Sequence, residues 1–208
     1  MSNTRRSFLK KSITASAITF LAPTLLSFKN PLKRLNIAVI GVGGRGLANY
    51  SRVFESDNII AMCDVDDKMA ANGYKKILEK FPNAKKFKDY RKMFDKLANQ
   101  IDAVIISTAD FQHALHTVEA ANAKKDVYVE KPFAETMEDA RLGKKAANDA
   151  GIVLQVGSQR RSGKNYHAAD KYIKSGAFGD VVMVEMTWNV NQPGRWRVYP
   201  NKVKDIKE

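Results

Sequence analysis

A short apolar run that breaks into closely spaced glycines limits this 208-residue chain more than any other feature. Asn36-Ile37-Ala38-Val39-Ile40 reads as a strand, and Gly41-Val42-Gly43-Gly44-Arg45-Gly46 follows at once, fitting G-x-G-x-x-G. Leu47 to Phe54 suits a helix, and a second apolar strand, Ile59 to Cys63, ends on Asp64, about 20 residues further on. Glycines at this spacing also occur in ordinary loops and in kinase-type loops. A kinase loop, however, lies between two strands and runs on to a valine. Strand, turn, helix, second strand and terminal acid in this order are the context of a dinucleotide site.

Each glycine has its own expected task. Gly41 lets the chain reverse out of the strand, Gly43 admits a pyrophosphate close to the backbone, and Gly46 lets helix pack on strand. Gly44 and Arg45 complete the candidate phosphate-binding turn, where unpaired N–H groups and the helix dipole favour negative charge. Asp64 is expected to accept hydrogen bonds from ribose hydroxyls. A carboxylate there repels a 2′-phosphate, which favours NAD, with NADP as the alternative.

Composition narrows the class. With 44% hydrophobic and 27% charged residues the chain is of the globular kind, long enough for one domain and part of another. The net charge is +13, but five of the basic residues fall within residues 1–30, where there is no acid. The other lysines alternate with acids on expected helix surfaces and lack an aromatic–basic motif, so a nucleic-acid partner is not expected. Cys63 is the single cysteine, so no internal disulfide can form.

Residues 1–30 read as an address. Thr4-Arg5-Arg6-Ser7-Phe8-Leu9-Lys10 is a twin-arginine signal, followed by a modestly apolar stretch from Ser12 to Phe28. Export to the periplasm or envelope is expected. No clean A-x-A cleavage site follows, which leaves an uncleaved N-terminal anchor as the alternative. The stretch is short and rich in Ser and Thr for a stable span, and none is expected beyond it.

After Asp64 the pattern keeps alternating. Helices are expected at Lys68–Lys80, Tyr90–Leu97, Phe111–Ala123 and Met137–Asp149, with strands at Lys85–Phe87, Asp102–Ser107, Asp126–Val129 and Gly151–Val156. This is an α/β fold with a doubly wound parallel sheet, a Rossmann domain over residues 35–157. Residues 158–208 then read as the beginning of an α+β second domain, with a helix from Ser162 to Ser175 and an alternating strand from Val181 to Val190.

These residues together carry a resemblance. The chain resembles the Gfo/Idh/MocA oxidoreductases, the family of glucose–fructose oxidoreductase and inositol dehydrogenase, from about Leu35 onward. The most specific segment is Glu130-Lys131-Pro132, directly after a strand. The glycine turn with Asp64, Thr108 to His113, Gly157-Ser158-Gln159-Arg160-Arg161 and Ser175-Gly176-Ala177-Phe178-Gly179 support it. The resemblance implies an NAD(P)-dependent enzyme acting on a sugar, cyclitol or related polyol. Lys131 corresponds to the lysine that contacts the reacting hydroxyl and the nicotinamide ribose, and Glu130 and Pro132 shape its loop, with a cis peptide bond expected before the proline. Ser107 and Thr108 fall on the nicotinamide side, and His113 and Gln159 join the expected cofactor contacts. Thr108-Ala109-Asp110-Phe111-Gln112-His113 lacks the proline and first histidine of the family's Thr-Pro-Asp-His-x-His segment. The family's catalytic histidine lies well into its second domain, so the resemblance implies a chain truncated there, inactive alone, with a homo-oligomer expected only of the full-length form.

For the chemistry, Lys131 serves as base or electrostatic anchor if burial and nearby positive charge lower its pKa; the alternative is a simple ribose contact. His113 and His116 lie one helical turn apart, and two histidines without a third partner are read as ordinary helix residues, so no metal is expected. His167 is placed on a surface. Arg160 and Arg161 are either solvated or near the nicotinamide, and Trp188, Trp196 and Tyr199 either stack on a sugar or pack in a core. Two other functions compete with a dehydrogenase: an NAD-dependent glycosidase on the same fold, and a non-catalytic nucleotide-binding module.

Overall fold

The computed structural model describes residues 34–187 and 189. The twin-arginine segment and Trp188, Trp196 and Tyr199 lie outside them. The chain divides between Gln159 and Arg160 into two compact units.

Six parallel strands form one sheet in the first unit. They are β1 (Asn36–Ile40), β2 (Asn58–Cys63), β3 (Lys85–Phe87), β4 (Ala103–Ile106), β5 (Asp126–Glu130) and β6 (Leu154–Gly157), in the order β3-β2-β1-β4-β5-β6. The order reverses direction beside β1, so a crevice opens at the C-terminal ends of β1 and β4, where doubly wound sheets bind ligands. The helices between them are α1 (Arg45–Tyr50), α2 (Asp67–Lys80), α3 (Tyr90–Leu97), α4 (His113–Asn122) and α5 (Met137–Ala150). α1 is shorter than expected and passes into a 3-10 turn at Ser51–Val53, while another such turn, Asp110–Gln112, precedes α4.

Strand alternation sorts the core into two layers. Ile37 and Val39 face one side and pack with Tyr50, Ala70, Tyr74 and Ile77. Ala38 and Ile40 face the other and pack with Met93, Phe94, Leu97 and Ala120. Local chemistry sets the helix starts. The Asp66 carboxylate accepts from the N–H groups of Lys68 and Met69 at the head of α2, and the Thr136 hydroxyl accepts from Asp139 N at the head of α5.

The second unit contains α6 (Lys164–Lys174) among its described residues. The strand expected over Val181–Val190 is not formed by residues 181–187 or 189, and Val182 and Met186 are almost fully exposed. Alternation of apolar side chains is not sufficient for a strand. Its backbone groups need a neighbouring strand, and none pairs with this segment among the described residues.

Candidate functional site

The glycine turn is held by backbone. Gly41 has φ +87° and donates its N–H to Cys63 O at 2.9 Å, and a Cβ on it would lie 2.5 Å from the Ser107 carbonyl. A Cβ on Gly46 would overlap the Gly41 carbonyl oxygen, so the head of α1 sits directly on the strand end, as expected. Gly43 lines the crevice and meets a further constraint from packing. A Cβ there would stand 2.8 Å from Met69 O, so this glycine brings the turn against α2. The open backbone is at Gly44, with φ +49° and nothing within 4 Å of where a Cβ would be.

Asp64 joins the turn itself. Its Oδ2 accepts from the N–H groups of Val42 at 2.8 Å and Gly43 at 3.2 Å, and Oδ1 accepts from Asp66 N at 3.0 Å. An ionised carboxylate has about four acceptor directions, so one remains on Oδ1 for an incoming hydroxyl. The same side chain therefore braces the turn and keeps a free acceptor at its edge.

Turn and acid open into one cavity of about 500 Å³, which reaches from Gly41, Gly43, Gly44 and Arg45 past Asp64 to Ser107 and Thr108. Seven of the sequence-predicted site residues thus share one space. Val65, Met69, Lys88, Tyr90, Ala109 and His116 also line it and were not foreseen. His116 in particular is not an ordinary helix residue. It is buried, its Nδ1 lies 3.2 Å from Thr108 Oγ1, and its ring meets Tyr90 edge-on at 4.6 Å. Burial, and then the nearby His113, pushes its pKa down to about 4. Burial first and the Asp64 charge second push the Cys63 thiol up to about 12, which disfavours the thiolate at neutral pH. A larger groove of about 610 Å³ runs between α4 and α5, lined mainly by side chains such as Leu115, Val118 and Leu142.

The remaining predicted residues form a second cluster behind the turn. Glu130 ends β5 with its side chain 6% exposed. Its Oε1 accepts from Arg45 Nε at 3.1 Å and Gln159 Nε2 at 3.3 Å, while Oε2 is buried without a partner among the described residues. Lys131 and Pro132 are exposed, and the peptide bond between them is cis. The burial that would make Lys131 a base is therefore not supplied by the described residues. His113 is 1% exposed and does not line the cavity. It lies behind the wall, with Nδ1 2.6 Å from Pro132 O and Nε2 3.1 Å from Thr108 O. Among the described residues, no group of three or more His, Cys, Asp or Glu side chains could hold a metal, and no helix is long and apolar enough to cross a membrane.

A 3-2-1-4-5-6 parallel sheet with a glycine turn, an acid after β2 and a crevice at the reversal defines a Rossmann nucleotide-binding domain. The family model described as an oxidoreductase family with an NAD-binding Rossmann fold matches residues 35–158, and the chain belongs to that Gfo/Idh/MocA family. It is 25% identical over 178 residues to a scyllo-inositol 2-dehydrogenase (NADP(+)) of Bacillus subtilis, covering 84% of this chain and 48% of the relative. It is 30% identical over 155 residues to an inositol 2-dehydrogenase of Salmonella typhimurium, covering 72% and 44%. Among solved structures, an oxidoreductase from Agrobacterium radiobacter in complex with NAD+, L-tartaric acid and magnesium matches with TM-score 0.60 and 26% identity, over 71% of this chain and 42% of that one. The chain spans about half the length of the curated relatives it matches.

Proposed function

We propose that residues 35–158 bind NAD, and that the whole protein moves a hydride between a cyclitol or sugar-like polyol hydroxyl and that cofactor. One observation carries the proposal: the glycine turn and Asp64 converge on a single crevice where the strand order reverses. The residues fit the group. Gly44 leaves open backbone where a diphosphate would lie, Arg45 adds a cation beside it, and Asp64 keeps an acceptor for a ribose hydroxyl. The Asp64 charge favours NAD over NADP, although the Bacillus relative carries NADP(+) in its name.

When bound, the nicotinamide accepts or returns the hydride. The protein positions and polarises. Ser107 and Thr108 end β4 at the crevice, with the Ser107 hydroxyl held by Asn49 Nδ2 at 2.9 Å. Lys131 stands at the end of β5 and is the residue proposed to meet the reacting hydroxyl. The names of the inositol dehydrogenase relatives support a cyclitol or related polyol as substrate.

Titration of the purified chain with NAD and NADP tests the binding step, with saturable NAD binding expected and tighter than NADP. Inositol-dependent NADH formation by a protein that includes the relatives' full length tests the reaction. The twin-arginine segment supports export to the periplasm or envelope. Replacing Arg5 and Arg6 by lysine should keep the protein in the cytoplasm, and unchanged export would refute that route.

A further inference from the structure

Buried polar groups in a folded chain are paired, and the kind of pairing fixes their protons. His113 is 1% exposed, and each of its ring nitrogens faces a backbone carbonyl oxygen. A carbonyl oxygen only accepts. A neutral imidazole carries one N–H, so it could satisfy one of the two and would set a bare lone pair against the other. The imidazolium satisfies both. The Nδ1 to Pro132 O distance of 2.6 Å is as short as charge-assisted hydrogen bonds become.

The two oxygens belong to the ends of different strands. Thr108 O is at the loop that follows β4, and Pro132 O is in the turn that carries Lys131. We propose that His113 is a positioning residue, held as an imidazolium, whose two N–H groups tie the Lys131–Pro132 turn to the end of β4. α4 supplies the mount. Thr117 Oγ1 bonds back to His113 O at 2.8 Å, and His116 one turn along stays neutral. The positioning role rests on Lys131 meeting the nicotinamide end of the cofactor; the proton inventory does not.

Two measurements on the 208-residue chain test this. The first is a ring ¹⁵N–¹H correlation spectrum of histidine-labelled protein at neutral pH without nucleotide. The chain has only three histidines, so variants at His116 and His167 assign the third. A ring with protons on both nitrogens is expected at His113, and a neutral-tautomer pattern would overturn the assignment. The second compares NAD with ADP-ribose, which lacks nicotinamide, on His113→Gln. A residue that positions the Lys131 turn should cost NAD roughly tenfold in affinity and ADP-ribose little. Equal losses for both ligands would overturn the positioning role. If His113→Gln does not fold, His113→Asn takes its place, and the wild-type spectrum is unaffected. A wild-type chain that binds neither nucleotide would defeat the dinucleotide proposal, and with it the positioning role, while the ring spectrum still decides the proton count.

Discussion

The glycine turn and the Lys131 turn, the two ends of the predicted site, are built by different means. At the glycine turn, shape is set by backbone against backbone: Gly41 on Ser107, Gly43 on Met69 and Gly46 on Gly41. At the Lys131 turn, shape is set by side chains reaching from elsewhere, with His113 on Pro132 O and Glu130 bridging Arg45 and Gln159. The residues of the first end all lie within the described part of the chain. The second presents an exposed lysine on a well-tied turn. The contrast teaches that nucleotide binding and hydride chemistry make separate demands. The first needs only one rigid domain, and can be measured on it.

The sharpest way to break the first end is Gly46→Ala. Its new Cβ would overlap the Gly41 carbonyl oxygen, and relief requires lifting α1 from the strand. A loss of about 3 kcal/mol or more is expected in urea unfolding. Acid comes next. Burial and the nearby His113 hold the His116 pKa at about 4 against an unfolded value near 6.5. The folded state therefore binds fewer protons through that window. Stability is fully present above pH ~6.5 and falls as pH drops toward 4, by about 3 kcal/mol at most. His116→Phe should flatten that arm of the denaturation profile.

Gly44→Ala separates fold from function. It puts a side chain at positive φ in open space, so the fold should lose about 1 kcal/mol while NAD affinity falls by about tenfold or more. Asp64 needs two variants, because its carboxylate both braces the turn and faces the ribose. Asp64→Asn keeps an acceptor for Val42 and Gly43 and should shift the NAD to NADP preference by about tenfold toward NADP. Asp64→Ala removes the brace and should weaken both. The smallest effect is expected where the two ends meet. Arg45→Ala removes one partner of Glu130, but the arginine is half exposed, so about 1 kcal/mol or less is expected in thermal melts.

Much of the first end was legible in the sequence because its parts are local. A strand, a glycine run and an acid after the next strand need no knowledge of distant contacts. The cap at Asp66 is of the same kind. The second constraint on Gly43 was not legible, since the atom it must avoid belongs to Met69, brought alongside only by packing. Nor was the part played by His116. Its neighbours Tyr90 and Thr108 come from two other segments, and spacing along α4 gives no hint of them. His113 was picked out by its motif, yet its place behind the wall depends on the fold. The apolar alternation at Val181 to Val190 misled for the opposite reason: a local pattern was present, and residues 181–187 and 189 have no paired neighbour among the described residues to make them a strand.

The most direct test follows backbone amide shifts of the ¹⁵N-labelled chain during NAD titration. Shifts concentrated at Val42 to Gly46, Asp64 and Thr108 are predicted. Shifts centred on the groove between α4 and α5, or none at saturating NAD, would contradict the account.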